Sequence, residues 1–145
     1  RVEESYKNSN IEFELNHVFD DISKRLQDCH LYIGRAGAST IAELTAIGRP
    51  SILVPYPYAI DDHQTKNAKV LETVGGSWLL PEKNFDSDVL AELLEKLFDS
   101  PKKLSKAAVL TKNIGIPQAT DVFADVVSGL VANERMSLKK NLGAF

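Results

Sequence analysis

Short apolar runs alternate with amphipathic stretches along most of this chain. Residues 11–15 (Ile11, Glu12, Phe13, Glu14, Leu15) alternate apolar and charged side chains, the period-two pattern of a half-buried strand. Residues 20–28 read as a short helix, with Ile22 and Leu26 four apart on one face. Residues 30–33 are a second strand candidate, ending in Gly34-Arg35-Ala36-Gly37. A helix follows over 39–47, stopped by Gly48 and then Pro50, the usual C-terminal punctuation. Residues 51–54 are a short β-branched run cut off by Pro55 and Pro57, which predicts a buried strand and a stiff loop. The pattern then gives a helix over 64–74, closed by Gly75-Gly76, and a fourth strand over 77–80, closed by Pro81.

The remainder reads as helical. Val89, Leu90, Leu93, Leu94, Leu97 and Phe98 form one apolar stripe at helical spacing. Pro101 opens another helix through residue 111, since proline is tolerated in a first turn. Residues 118–131 repeat the stripe with Val122, Phe123, Val126, Val127, Leu130 and Val131. Residues 1–131 are therefore expected to form one unit with closing helices, and 132–145 a basic, flexible tail. Strands alternating with helices imply parallel β-α units with right-handed crossovers, a Rossmann-like α/β sheet flanked by helices. Such sheets bind ligands at the carboxyl ends of their strands, and here those ends carry residues 34–40 and 55–64.

Composition narrows the choices. The 145 residues suit a single domain, and a net charge of −3 argues against a nucleic-acid partner, which would need a basic face. A small anion remains possible, because backbone amides bind phosphate without lysine or arginine. Cys29 is the only cysteine, so no intrachain disulfide forms, and a reducing cytoplasm fits. No apolar run approaches the ~20 residues of a spanning helix and no signal peptide opens the chain, so a soluble or peripherally attached protein is expected. The polar start at Arg1, without methionine, reads as a fragment.

Two loops carry the candidate chemistry. In Gly34-Arg35-Ala36-Gly37-Ala38-Ser39-Thr40, small residues let a ligand approach the backbone, and the free N–H groups of the next helix suit a diphosphate. A tight turn alone explains the same residues. Glu43 has two readings: half of a Thr40/Glu43 capping box, or an acceptor for ribose hydroxyls. The second loop, 55–64, packs prolines and aromatics ahead of His63, Gln64 and Asn67, which can share one helical face and read sugar hydroxyls. Asp61 or Asp62 is placed to cap that helix, and a solvated first turn is the plainer reading. No second His or Cys stands at metal-ligand spacing from His63, so no metal is expected.

Taken together, Gly34 through Leu44, Gly48-Arg49-Pro50, Pro55-Tyr56-Pro57, Asp61 through Ala68, Gly75-Gly76 and Ile116 through Thr120 resemble one family. It is the bacterial undecaprenyldiphospho-muramoylpentapeptide β-N-acetylglucosaminyltransferases, which convert lipid I to lipid II in peptidoglycan synthesis. The resemblance runs from Ile11 to about Val131 and implies the C-terminal, UDP-N-acetylglucosamine-binding part of a two-domain GT-B glycosyltransferase. It implies that Gly37, Ala38, Ser39 and Thr40 line the nucleotide and diphosphate, that Glu43 binds the ribose, and that His63 and Gln64 meet the sugar. His63 departs from the glutamine most common there, and Asn67 is as well suited to anchoring its helix as to touching sugar. The family needs no cofactor and no metal. Its general base and lipid I site are expected in an N-terminal domain absent from this chain, so no catalytic residue is assigned and the fragment alone is expected to be inactive. The implied location is the cytoplasmic face of the bacterial inner membrane, peripherally attached. Arg135, Lys139 and Lys140 near Leu138 and Leu142 fit either a membrane-facing tail or a solvated terminus. Two alternatives remain: a related transferase with another sugar or acceptor, and a separate nucleotide-sugar-binding subunit that needs a partner chain.

Overall fold

A computed structural model describes residues 2–7 and 11–142, with side chains described as far as Val131. Three strands, β1 (Tyr32–Gly34), β2 (Ser51–Leu53) and β3 (Ser77–Leu79), form a parallel sheet in the order β1-β2-β3. Tyr32, Ser51 and Ser77 stand in register, as do Gly34, Leu53 and Leu79 at the other end. Helices α1 (Val2–Lys7) and α2 (Ile22–Asp28) precede the sheet. Helices α3 (Ala38–Ile47) and α4 (His63–Thr73) make the two crossovers, and α5 (Ser87–Phe98), α6 (Pro101–Asn113) and α7 (Ala119–Leu142) follow β3.

The central strand explains why both faces are covered. Successive strand residues point to opposite faces, so a strand that is apolar on both must be buried on both. All three residues of β2 are buried. Leu53 packs with Leu26, Leu44, Ala68 and Leu71 from α2, α3 and α4. Ile52 packs with Leu97, and with Leu90, Leu93, Leu94 and Leu104 beside it, from α5 and α6. Of the stripe expected on α5, Leu90, Leu93, Leu94 and Leu97 face the sheet whereas Val89 and Phe98 are exposed, and Asp86 caps that helix through bonds from the Asp88 and Val89 amides. Gly48 ends α3 in the left-handed conformation (φ 81°), where a Cβ would also meet Lys112.

Three expectations are corrected. Residues 11–15 form no strand: among the described residues no strand lies beside them, so their backbone has no ladder partner, and Ile11, Phe13 and Leu15 are exposed. Arg25 fixes this segment instead. It holds Glu14 through two bonds (2.6 and 2.8 Å) and Asp21 through a third (2.6 Å), and lies 4.0 Å from the Phe19 ring centroid. Helix α7 runs past Val131 to Leu142, because no glycine or proline interrupts the segment 132–142. Its stripe is exposed rather than packed, with Phe123 at 70% accessibility against 2% for Leu97. The side chains of Arg135, Leu138, Lys139, Lys140 and Leu142 lie outside the described residues, as do residues 143–145 entirely.

Candidate functional site

The carboxyl ends of β1 and β2 open into the two loops singled out by sequence. The first loop is held by its own strand. The ring of Tyr32 folds across Gly34, where any Cβ would collide with it, and its hydroxyl lies 3.5 Å from the Arg35 carbonyl oxygen. Beyond the loop, α3 begins at Ala38 with Gly37 as its N-cap, and no side chain caps it. The first-turn amides of Ala38, Ser39 and Thr40 are thus left without a capping acceptor, at the positive end of a ten-residue helix.

This start overturns the capping-box reading. Thr40 is the third helical residue rather than the cap, which puts Glu43 on the second turn, too far along to reach the cap amide. Glu43 is exposed and makes no hydrogen bond or ion pair with any described residue. It faces instead a recess of ≈ 420 Å³ lined by Thr40, Tyr32, Arg25 and the apolar side chains of Phe19, Ile22, Leu26, Leu31 and Ile33. Burial pushes the Tyr32 phenol above its usual range, against a hydrogen bond from Thr40, while the nearby Glu43 carboxylate adds to the rise. The phenol therefore stays protonated at neutral pH. A carboxylate, two hydroxyls and an apolar hollow beside free amides can hold a polar ring, a flat apolar group and an anion in sequence.

Gly37 adds a separate argument. Its φ of −63° suits any residue, and a Cβ there would come no closer than 3.8 Å to its nearest neighbour, the Thr40 hydroxyl. Neither backbone nor packing requires glycine, so open space above the loop is what its lack of a side chain provides.

The second loop is occupied with itself. The Gln64 Oε1 accepts from the Tyr56 amide (3.0 Å), leaving the Gln64 NH2 free to donate. The Asn67 Nδ2 donates to the Ala36 carbonyl (3.0 Å), which ties α4 to the first loop. His63 Nδ1 lies 2.7 Å from the Ile60 carbonyl, so that nitrogen carries the proton and Nε2 of the neutral ring is the acceptor. His63, Gln64 and Asn67 therefore do not present a common face: two turn inward and one folds back on the preceding turn. Asp62 stands at the N-cap position of α4 but makes no capping bond, and both Asp61 (φ 53°) and Asp62 (φ 52°) are left-handed. Aspartate tolerates that conformation better than most residues, and such strain concentrates where loops are held for a purpose. Tyr32 lines the recess although the sequence pattern does not mark it, and Arg35, a lone charged residue in a loop of small ones, reaches the carbonyls of Val54 and Pro55. Among the described residues no group of three or more His, Cys, Asp or Glu could hold a metal ion.

Residues 1–121 match the family model of the glycosyltransferase family 28 C-terminal domain. The UDP-N-acetylglucosamine–N-acetylmuramyl-(pentapeptide) pyrophosphoryl-undecaprenol N-acetylglucosamine transferase of Paramagnetospirillum magneticum is 49% identical over 133 residues, 92% of this chain and 36% of that protein. The transferase of the same name from Rhodospirillum rubrum is 48% identical over 127 residues, 88% of this chain and 33% of that protein. The chain thus spans about a third of the length of the curated relatives it matches. A crystal structure of Acinetobacter baumannii MurG superposes with a TM-score of 0.81 at 29% identity, covering 88% of this chain and 39% of that one. The spinosyn forosaminyltransferase SpnP shares the fold at a TM-score of 0.62 and 23% identity, over 86% of this chain and 33% of that one. The parallel sheet and its flanking helices are accordingly those of a GT-B glycosyltransferase. The chain belongs to the glycosyltransferase family 28 C-terminal domain family.

Proposed function

We propose that this chain is the UDP-sugar-binding portion of a transferase that moves N-acetylglucosamine from UDP-N-acetylglucosamine to lipid I, producing lipid II for peptidoglycan. The observation that carries the reading is the pairing of uncapped amides at Ala38, Ser39 and Thr40 with the unpartnered Glu43 carboxylate one turn later, beside an apolar recess. The diphosphate sits against the amides, Glu43 and Thr40 take the ribose hydroxyls, and the base enters the recess lined by Phe19 and Ile22. The sugar extends toward the second loop, where the free Gln64 NH2 donates and His63 Nε2 accepts. Asn67 acts through the loop it anchors. The names of the relatives, which state this nucleotide sugar and this lipid-linked acceptor, support the same assignment.

In the reaction a hydroxyl oxygen of the acceptor attacks the anomeric carbon while the bond from that carbon to the β-phosphate oxygen breaks. The hydroxyl proton passes to a base, and UDP departs with the bonding electrons. The share of this chain is to hold the sugar in line and to stabilise charge gathering on UDP with fixed amide dipoles. The base and the lipid site are placed outside these residues, so the chain alone is proposed to be inactive. No helix among the described residues is long and apolar enough to cross a membrane. A lipid-linked acceptor then calls for peripheral attachment at the cytoplasmic face of the inner membrane.

Calorimetric titration of the native protein with UDP, UDP-N-acetylglucosamine and UDP-glucose tests this reading. Saturable binding that favours the N-acetyl sugar is expected. Equal affinity for the two sugars would point to a relative with another donor, and no binding would overturn the assignment.

A further inference from the structure

Arg35 is the only charged residue in the first loop, and its guanidinium leaves that loop for the ends of the other two strands. Its Nη1 donates to the carbonyls of Val54 (3.3 Å) and Pro55 (3.2 Å), where β2 passes into the second loop. The same group pairs with Glu82, in the turn Glu82–Asn84 that follows β3. The guanidinium carbon also lies 5.4 Å from the centroid of the Tyr56 ring, and the amide of Tyr56 is the one bound by Gln64. One side chain thus spans the carboxyl ends of all three strands, and it touches the second loop next to the residue that orients Gln64.

We propose that Arg35 is a positioning residue that sets the second loop against the first, so that the sugar is held in register with the diphosphate; the proposal rests on the UDP-sugar reading above. The physical case lies in what the guanidinium offers and lysine does not. Its rigid, delocalised plane holds Nη1 toward the Val54, Pro55 and Glu82 acceptors while lying near the Tyr56 ring, whereas an ammonium is a point charge on a flexible stem. A second tie, from Asn67 to the Ala36 carbonyl, joins α4 to the first loop independently, so the loops do not come apart when Arg35 is replaced. What is lost is their fine alignment. Both partners of the ion pair are substantially exposed (47% and 41%), and exposed pairs add little to stability, so positioning predicts a loss of kcat with little change in Tm.

The test compares the full-length native transferase with its Arg35→Met, Arg35→Lys and Glu82→Ala variants, measuring kcat with UDP-N-acetylglucosamine, the inhibition constant of UDP, and Tm. UDP reports the first loop alone, whereas transfer needs the sugar aligned by both loops. Positioning predicts that kcat falls about tenfold in Arg35→Met while UDP inhibition stays within about threefold of the parent. Arg35→Lys is expected nearer to Arg35→Met than to the parent, because it keeps the charge and loses the rigid plane beside Tyr56. Glu82→Ala falls between. Parallel losses in kcat, UDP inhibition and Tm would overturn the proposal in favour of a structural role, as would an unchanged kcat in Arg35→Met. If the full-length parent shows no transfer from UDP-N-acetylglucosamine and no calorimetric binding of UDP, the donor reading fails and the proposal falls with it. That outcome differs from one in which UDP still inhibits but Arg35 proves inert.

Discussion

The two loops at the carboxyl edge of the sheet are built on opposite principles. The first leaves the polar groups at its helix end unspent: the amides of Ala38, Ser39 and Thr40 have no side-chain cap, and Glu43 makes no hydrogen bond or ion pair with any described residue. The second spends them, with Gln64 on the Tyr56 amide, His63 on the Ile60 carbonyl and Asn67 on the Ala36 carbonyl. Free groups facing a recess await a ligand, whereas bonded groups hold a shape. The first loop is therefore read as the source of nucleotide affinity and the second as the gauge that places the sugar.

Substitutions should separate the two. The largest functional effect is expected at Glu43→Ala, which removes charge-assisted bonds worth about 1.5–3 kcal/mol, a donor-affinity loss of roughly 10- to 150-fold. Its Tm should barely move, because Glu43 is exposed and makes no bond within the fold. A matching loss of Tm with unchanged donor KM would return Glu43 to a purely structural role. Next comes Gly37→Ala. The added methyl meets nothing in the protein closer than 3.8 Å but enters the space above the loop, so UDP binding should fall by about tenfold, with stability changed by less than ~1 kcal/mol. Unaltered UDP affinity would mean that no ligand approaches there.

In the second loop the order reverses. Asn67→Ala leaves the carbonyl of the fully buried Ala36 without its hydrogen-bond donor, an expected cost of about 1–3 kcal/mol visible in chemical denaturation, with only a secondary loss of UDP affinity. His63→Gln keeps a group that both donates and accepts, so donor KM should change by less than about threefold. The smallest effect belongs to Glu14, whose carboxyl is held below its usual range chiefly by the hydrogen bond from Arg25. A depressed folded value stabilises above the ordinary pKa of 4.5, and the benefit is lost as pH falls through the folded value. The small Tm gap between the parent and Glu14→Gln should therefore exist at neutral pH and close as pH falls below 4.5 through the folded value.

Much of this was legible because local chemistry dictates it. Gly48 and Pro50 end α3 where the sequence places its end, Pro55 closes β2, and the apolar spacing of α5 marks the face that meets the sheet. The misreadings share a cause. Residues 11–15 have a strand pattern, but a strand also needs a neighbour, and a pattern does not reveal whether one is present. Thr40 and Glu43 match a capping box, yet Gly37 starts the helix three residues earlier and leaves Glu43 free. Apolar stripes on α5 and α7 look alike in sequence, but among the described residues only the α5 stripe packs against the sheet. Arg35 escaped notice because its partners lie 19 to 47 residues away, a relation that only the fold creates.

The most direct test of the contrast is an amide-resolved NMR titration of the native protein, first with UDP and then with UDP-N-acetylglucosamine. The account predicts that UDP alone shifts Ala38, Ser39, Thr40 and Glu43 most strongly, and that His63 and Gln64 respond substantially only when the sugar is attached. Shifts centred away from the first loop, or a second loop that responds equally to UDP alone, would contradict it.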